Sequence, residues 1–373
     1  MLQPSPDDLE AAFRRIEDAH PITPSGNSQQ SETIYNIIKG LPEASSYHRL
    51  LEQHPSLIAL LADPSNGEFT LFLPVNAAWQ KDPGLAERVS GAAGSGALLS
   101  MHISPHFFGE AYLRSLTNIP TVYEPATSNG PQTFPLRLAA EDGWIVGRSG
   151  RFVQPSIRAG NGIIHRVDEV MLPPAPLLEV LRARGGYSTL LRAVRLTGFD
   201  EELAAQRGRG RGGTLFAPSD QAFAALGPDA LRFLTEDADG SKYLAALLRL
   251  HFCPARTFYT NFIWPKNNNG PRWTSTAADQ ERIYKGSMGQ ELPSALGGEG
   301  EGGAGAASLS VSITRYMCLI SMAVNAAPVV EQDITGSDGV AQGINDVLLP
   351  GTTVGKGHQD VIPRIKAALQ NFV

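Results

Sequence analysis

The chain has 373 residues, which is enough for two domains of ordinary size. Hydrophobic residues make up 42% and charged residues 18%, a composition typical of globular rather than disordered proteins. The formal net charge of −6 predicts no general attraction to nucleic acid or to anionic lipid. Two cysteines, Cys253 and Cys318, exclude a disulfide-rich scaffold, and they either form one bridge or remain two buried thiols.

The N-terminal residues 1–31 mix Pro, Ser, Gln and Asn, which predicts a flexible arm. The first ten residues have no basic region and no apolar core, so we expect no signal peptide. We also expect no GPI signal, no bilayer-spanning run and no Asn-x-Ser/Thr glycosylation site. Because these signals are absent, the sequence does not indicate the cellular compartment of the protein.

The first strongly patterned stretch is Thr70–Trp79, TLFLPVNAAW, and it recurs at residues 214–223 as TLFAPSDQAF. The β-branched and apolar residues predict a buried strand, which the proline ends because it cannot donate a hydrogen bond to the sheet. Asn76 and Asp220 are predicted as the N-caps of the following helix. The chain therefore uses a strand, a turn and a capped helix twice.

A second repeat confirms that pattern within the sequence, because residues 154–173 match residues 331–350 at a constant separation of 177. Asn161-Gly162 and Asp338-Gly339 lie between apolar stretches and predict type I′ hairpin turns. Two different motifs that recur in the same order indicate two copies of one domain.

These paired motifs resemble the fasciclin (FAS1) family, and more specifically its tandem, fungal-type members. The resemblance implies an α+β fold with two tandem FAS1-like domains, each with a helical layer packed on a small β-sheet wedge. Members of the family are typically secreted or surface-anchored and usually lack enzymatic activity.

The predicted organisation follows from the repeat. We expect an N-terminal arm (1–31), a first domain (32–173), a second domain (174–351) with an insertion at about 265–308, and a C-terminal amphipathic helix (352–373). The helix is expected to pack on the second domain, with docking on a partner or a membrane surface as the alternative.

No motif of a known enzyme, cofactor or metal site is present in the sequence, so we expect a protein without catalytic residues, cofactor or metal. The resemblance implies a structural, hydrogen-bonding role for His165, which the second copy replaces by Gln342. His102 and His251 occupy equivalent positions and are also predicted to be structural. An enzyme that uses His102, His106 or His165 as acid or base is the minor alternative.

The pair Asp333-Ile334 is the predicted partner-binding site, because the resemblance implies a receptor-binding role for this dipeptide in adhesive members. The first copy has Ser156-Ile157 instead. The competing interpretation is that Asp333 caps a turn and that Ile334 belongs to the core.

Besides the enzyme as minor alternative, the sequence supports two functional hypotheses. The first is a non-catalytic adhesion or scaffold protein, which binds a protein or a cell-surface or matrix partner through an exposed Asp333-Ile334 surface. The alternative rests on resemblance to two-domain fungal FAS1 proteins that assist laccase- and monooxygenase-type enzymes in making aromatic polyketide pigments. That alternative predicts a pocket for an aromatic intermediate, lined by aromatic side chains and a histidine: His106, Phe107, Trp264 and Trp273.

Overall fold

The structure is a computed structural model. It describes residues 32–82, 84–89, 92–109, 113, 118–123, 135–141, 143–146, 150–208, 212–254, 257–260, 285–297, 307–316, 319–354 and 360–373. The described residues divide into two compact units. The first unit lies within 32–122 and 136–171, and the second contains Tyr123, Pro135 and the residues from 172 to 373.

The structure describes six α-helices in the first unit. Thr33 begins the first of them as N-cap, because its side chain accepts a hydrogen bond from the Asn36 amide. Pro55 occupies the first position of the third helix, where its missing N–H costs nothing. The helices are α1 (Ile34–Gly40), α2 (Ser45–Leu51), α3 (Pro55–Ala62), α4 (Asn76–Gln80), α5 (Leu85–Arg88) and α6 (Ala92–Met101).

Two four-stranded sheets lie between residues 69 and 167. In one sheet β1 is flanked by antiparallel β2 and parallel β8, with β7 outside β8; the other has the order β3-β4-β5-β6. The strands are β1 (Phe69–Pro74), β2 (Ile103–Ser104), β3 (Asn118–Pro120), β4 (Pro135–Glu141), β5 (Gly143–Val146), β6 (Gly150–Arg151), β7 (Ile157–Ala159) and β8 (Gly162–Val167).

The second unit repeats the same pattern of helices followed by strands. The helices are α7 (Leu177–Arg184), α8 (Ser188–Thr197), α9 (Phe199–Gly208), α10 (Asp220–Ala224), α11 (Pro228–Glu236), α12 (Gly240–Leu250) and α13 (Val361–Leu369). The strands are β9 (Gly213–Pro218), β10 (Phe252–Pro254), β11 (Lys285–Pro293), β12 (Ser308–Tyr316), β13 (Leu319–Val324), β14 (Ala327–Gly336), β15 (Gly339–Ile344), β16 (Leu348–Leu349) and β17 (Thr352–Thr353).

The main sheet of the second unit has seven described strands in the order β10-β9-β15-β14-β13-β12-β11. Strand β9 pairs parallel with β15, as β1 pairs with β8, so the two repeated sequence motifs lie side by side in each unit. Every residue of β1 and of β9 is buried. Each unit has its own hydrophobic core beside this central strand pair, which agrees with an α+β fold used twice.

The predicted hairpins are present, but their turns lie one residue earlier than expected. Ala159 pairs with Gly162 and Gly336 pairs with Gly339, so the turn residues are Gly160-Asn161 and Ser337-Asp338. None of these four residues has the positive φ that a type I′ turn requires. The positive φ falls on Gly162 and Gly339, at the start of the returning strand.

The C-terminal helix α13 packs on the second unit, as the amphipathic pattern predicts. Val361, Ile365 and Leu369 are buried and belong to that unit's core. On its exposed side, the Lys366 ammonium lies 4.7 Å from the centroid of the Phe233 ring and pairs with Asp239. Among the helices that the structure describes, none is long and apolar enough to cross a membrane.

Candidate functional site

His102 and His251 make identical contacts in the two units. The Nδ1–H of His102 donates to the Leu98 carbonyl (2.8 Å), and its Nε2 accepts from the Met171 amide (3.0 Å). In the second unit the partners are the Leu247 carbonyl (2.7 Å) and the Leu348 amide (3.0 Å). This assignment follows because a carbonyl can only accept and an amide N–H can only donate. Each imidazole, in its neutral form, therefore joins the end of a helix to a distant segment of the chain.

Burial disfavours the charged form of both histidines. His102 is 0% exposed and His251 is 1% exposed, and burial lowers the pKa of each to about 4, against a smaller raising effect of the backbone hydrogen bond. With both ring nitrogens engaged and the neutral form favoured, these side chains are suited to holding the fold rather than to proton transfer.

His165 and Gln342 show how one hydrogen-bonding role is kept with two different side chains. His165 Nε2 donates to the Phe108 carbonyl (2.8 Å), and Gln342 Nε2 donates to the Phe258 carbonyl (2.9 Å). The His165 ring also stacks on Phe152, with centroids 4.9 Å apart. The same hydrogen bond to a phenylalanine carbonyl is therefore made by a histidine in one unit and by a glutamine in the other.

The residue that contacts His165 in the first unit also differs from the residue that contacts Gln342 in the second unit. Ser156 Oγ lies 2.7 Å from His165 Nδ1, while at the matching position Asp333 Oδ1 accepts from Gln342 Nε2 at 2.7 Å. Asp333 also accepts hydrogen bonds from the amide and the hydroxyl of Thr260, at 3.0 and 2.5 Å. The pairs Ser156–His165 and Asp333–Gln342 therefore occupy matching positions in the two units and make equivalent side-chain hydrogen bonds.

The exposure of Asp333 and Ile334 that the adhesion hypothesis requires is not found, and Ile334 belongs to the core, as the competing interpretation expected. Asp333 is 3% exposed and Ile334 is 2% exposed. The pairing of β14 with β15 shifts register between Glu331 and Ile334, and Asp333 has a φ of +55°. Adjacent residues of a regular strand face opposite sides, but this bulge turns both side chains inward.

We expect Asp333→Ala to lower the free energy of unfolding of the second unit by about 2 kcal/mol, because it leaves the buried donors of Thr260 and Gln342 without this acceptor. Urea unfolding followed by circular dichroism measures the change. Ser156→Ala is the matched control in the first unit and should cost about 1 kcal/mol, since it removes only a hydroxyl. An Asp333→Ala protein as stable as the wild type would contradict the assigned hydrogen bonds.

Asn161 and Gly162 have separate structural tasks. Asn161 Oδ1 accepts from the Ile34 amide (2.8 Å), and Asp338 Oδ1 accepts from the Leu177 amide (2.7 Å). The Asn161 carboxamide thus accepts from the N–H that begins α1, and the Asp338 carboxylate accepts from the N–H that begins α7; neither N–H has a partner within its own helix. A Cβ on Gly162 would lie 2.0 Å from the Phe69 carbonyl oxygen, so only glycine fits beside β1.

The N-cap assignment of Asn76 and Asp220 is wrong in one respect, because each is the first residue of its helix rather than the N-cap. Ser219 caps α10 by accepting from the Ala222 amide. Asp220 instead accepts from the Ser188 and Thr189 amides at the start of α8, and these hydrogen bonds lower its pKa against the raising effect of partial burial. Asn76 does the same for the Ser46 amide in α2.

The residues predicted to line an aromatic pocket are only partly described. The His106 ring packs edge-on against Phe108, and burial lowers the pKa of His106. Phe107 lies 4.1 Å below the Arg158 guanidinium, which stacks over its ring. Trp264, Trp273 and Cys318 lie outside the described residues, whereas Cys253 is buried in β10.

Two features were missed by sequence reasoning. The first is a hydrogen-bonding role for Thr70 in addition to its place in the buried strand. Its hydroxyl accepts from the Phe108 amide (2.8 Å) and donates to the His106 carbonyl (2.7 Å). Thr214 likewise accepts from Phe258. The recurrence of threonine before Leu-Phe in both motifs was the available signal. The second feature is a cleft of about 520 Å³ in the second unit, beside the Asn325-Ala326 turn.

Within the described parts of the chain, no three His, Cys, Asp or Glu side chains converge as a metal site would require. The described residues therefore form buried hydrogen-bond networks within each unit, and a surface cleft is present in the second unit.

Comparison with known proteins places these observations in a wider context. A family model described as "Fasciclin domain" matches residues 42–173 and 185–350. "Aurofusarin biosynthesis cluster protein S" of Gibberella zeae is 23% identical over 366 residues, covering 94% of this chain and 85% of that protein.

A solved structure is also similar, a FAS1 domain pair from the insect cell adhesion molecule Fasciclin I. It is 16% identical with a TM-score of 0.37 and covers 82% of this chain and 97% of that chain. A similarity of this size adds nothing to the functional argument.

Proposed function

Because this chain belongs to the fasciclin family, with two tandem fasciclin domains, we propose that it is a non-catalytic binding protein that assists the biosynthesis of an aromatic polyketide. A fasciclin domain fits a non-catalytic binding role. The finer proposal is that the bound molecules are an aromatic intermediate and the laccase- or monooxygenase-type enzymes that act on it.

The observation that carries this proposal is the similarity to the Gibberella zeae protein, which extends over 94% of the chain rather than over one domain. That protein is named as a member of an aurofusarin biosynthesis cluster. A similarity through both domains supports a related task for the pair.

The buried state of Asp333 and Ile334 favours this proposal over adhesion. Recognition of a receptor by this dipeptide needs an accessible carboxylate and an accessible apolar side chain. Asp333 instead receives hydrogen bonds from Thr260 and Gln342 inside the unit, and Ile334 belongs to the hydrophobic core.

The histidine contacts favour a role without acid–base chemistry. Both ring nitrogens of His102 and of His165 take part in hydrogen bonds within the unit. A general acid or base needs a ring nitrogen within reach of its substrate. His106 is partly buried and is therefore the histidine to replace when catalysis is tested.

The test is deletion of the gene, followed by untargeted metabolite profiling of cells and medium. We expect an aromatic product to disappear or a precursor to accumulate, and reintroduction of the wild-type gene or of a His106→Ala gene to restore the product. An unchanged metabolite profile together with a loss of attachment or wall integrity would contradict the proposal and favour adhesion.

A further inference from the structure

The cleft of about 520 Å³ in the second unit lies where β11, β12, the β13–β14 turn and the β16–β17 turn meet. Its volume is within the range of small-molecule sites. Its lining combines one carboxylate and small polar groups with small apolar groups, and includes Glu291, Ser308, Ser310, Asn325, Ala326 and Gly351.

Asn325 makes one wall of the cleft rigid. The side-chain Oδ1 of Asn325 accepts from the backbone amide of Ser310 (2.9 Å), and the backbone amide of Asn325 donates to the Ser310 carbonyl (2.8 Å). The side-chain Nδ2 donates to the Leu349 carbonyl (3.1 Å). These hydrogen bonds tie β12 to the β16–β17 turn. A ligand in the cleft would meet a wall that needs no ordering on binding, which favours affinity.

The β13–β14 turn in this wall has a left-handed backbone conformation at residues other than glycine. Asn325 and Ala326 have φ values of +45° and +68°, as the two central residues of a type I′ turn do. Glycine is the favoured residue at the second position, and alanine there carries a steric cost. Strain of this kind is concentrated at functional sites, and Ala326 is one of the lining residues.

The chemistry of the cleft selects against anions. Glu291 is exposed and receives one hydrogen bond, from the Ser308 hydroxyl to Oε2 (2.8 Å). None of the described residues that line the cleft is basic. A carboxylate without a cationic partner in the cleft favours ligands that donate hydrogen bonds, while Ala307, Ala326 and Pro350 supply an apolar surface without bulky side chains.

The cleft does not follow from the repeat. Glu291, Ala307 and Ser308 lie in the segment 265–308, within which the sequence predicts the insertion of the second copy. At the separation of 177, Gly351 and Thr352 correspond to Pro174 and Ala175. A structural task common to both domains therefore does not account for this set of residues.

We propose that this cleft binds a small, planar, hydroxylated aromatic molecule. A phenolic hydroxyl donates to the Glu291 carboxylate, and the ring lies against the apolar surface of Ala326 and Pro350. The choice of an aromatic ligand rests on the proposed function, whereas the preference for a hydrogen-bond donor rests on the lining residues alone.

The test is fluorescence titration of the full-length protein with 2,7-dihydroxynaphthalene and with 2,7-dimethoxynaphthalene, which cannot donate. We expect the dihydroxy compound to bind at least tenfold more tightly, because a hydrogen bond to a charged acceptor contributes about that much. Absence of saturable binding of the dihydroxy compound, or equal affinity for both compounds, overturns the proposal.

Three variants locate the binding. Glu291→Gln should weaken binding of the dihydroxy compound about tenfold. Thr352→Trp, at an exposed lining position, should fill the cleft and abolish binding without lowering the thermal midpoint of unfolding. Glu236→Gln removes an exposed carboxylate at the end of α11 and should leave the affinity unchanged. Equal affinities for the Glu291 and Glu236 variants would place the ligand elsewhere.

The same variants separate this inference from the proposed function. If a Thr352→Trp gene restores the product in the deletion strain, the cleft is not the binding site, while the role in the pathway stands. If the titration shows binding in the cleft but deletion leaves the metabolites unchanged, the site stands and the role in the pathway is wrong.

Discussion

Gly162→Ala should lower the free energy of unfolding of the first unit by about 3–5 kcal/mol. The new Cβ would lie 2.0 Å from the Phe69 carbonyl oxygen and 2.8 Å from Ile34 Cδ1. Neither neighbour can move freely, because the Phe69 carbonyl belongs to the central strand and Ile34 starts α1. Urea unfolding monitored by tryptophan fluorescence and by circular dichroism measures the loss.

The repeat provides a second copy of this test. Gly339→Ala brings a Cβ to 2.5 Å from the Gly213 carbonyl oxygen and should destabilise the second unit to a similar extent. Gly40→Ala is the matched control, since no atom lies within 4 Å of its Cβ position and its φ is not positive. A Gly162→Ala protein that unfolds at the same urea concentration as the Gly40→Ala protein would contradict the close pairing of β1 with β8.

The second large effect concerns pH. The folded-state pKa of His102 and of His251 is lowered to about 4, below the ordinary value of 6.5. The stabilisation by each neutral imidazole is therefore present above pH 6.5 and is lost as the pH falls toward 4. Each histidine accounts for a loss of about 3 kcal/mol over this range.

Histidine variants separate this loss from the titration of carboxylates. His102→Gln is expected to be less stable than the wild type at pH 7.5, and the difference should shrink by about 3 kcal/mol by pH 4, because glutamine does not titrate. His251→Gln should behave in the same way in the second unit. An NMR titration of the folded wild type provides the independent check, and a ring signal of His102 that titrates near pH 6.5 would contradict the account.

The sequence predicted the parts of the fold that depend on local pattern. The repeated Thr-Leu-Phe stretch predicted the buried strands β1 and β9, and the apolar face within residues 352–373 predicted the helix α13 that packs on the second unit. Both predictions depend on periodicity, which a sequence shows directly.

The sequence did not predict which distant group each polar side chain contacts. Asp220 satisfies the start of α8, some thirty residues earlier, rather than its own helix, because folding brings the two helices together. The adhesion hypothesis required Asp333 at the surface, but a bulge in β14 turns this side chain inward. Bulges depend on the pairing partner and have no strong sequence signal of their own.

The cleft was missed for a similar reason. Glu291, Ser310 and Asn325 lie on three different strands or turns, and only the pairing of β11, β12 and β13 brings them together. The sequence pattern predicted a pocket lined by aromatic residues, whereas this cleft is lined by small and polar side chains.

The most direct test of the central proposal is reconstitution. An extract of the deletion strain is supplied with the accumulated precursor, with and without the purified protein, and the purified protein is also incubated with the precursor alone. We predict that the protein restores conversion in the extract and leaves the precursor unchanged on its own. Conversion of the precursor by the purified protein alone, or no effect on the extract, would contradict a non-catalytic role in the pathway.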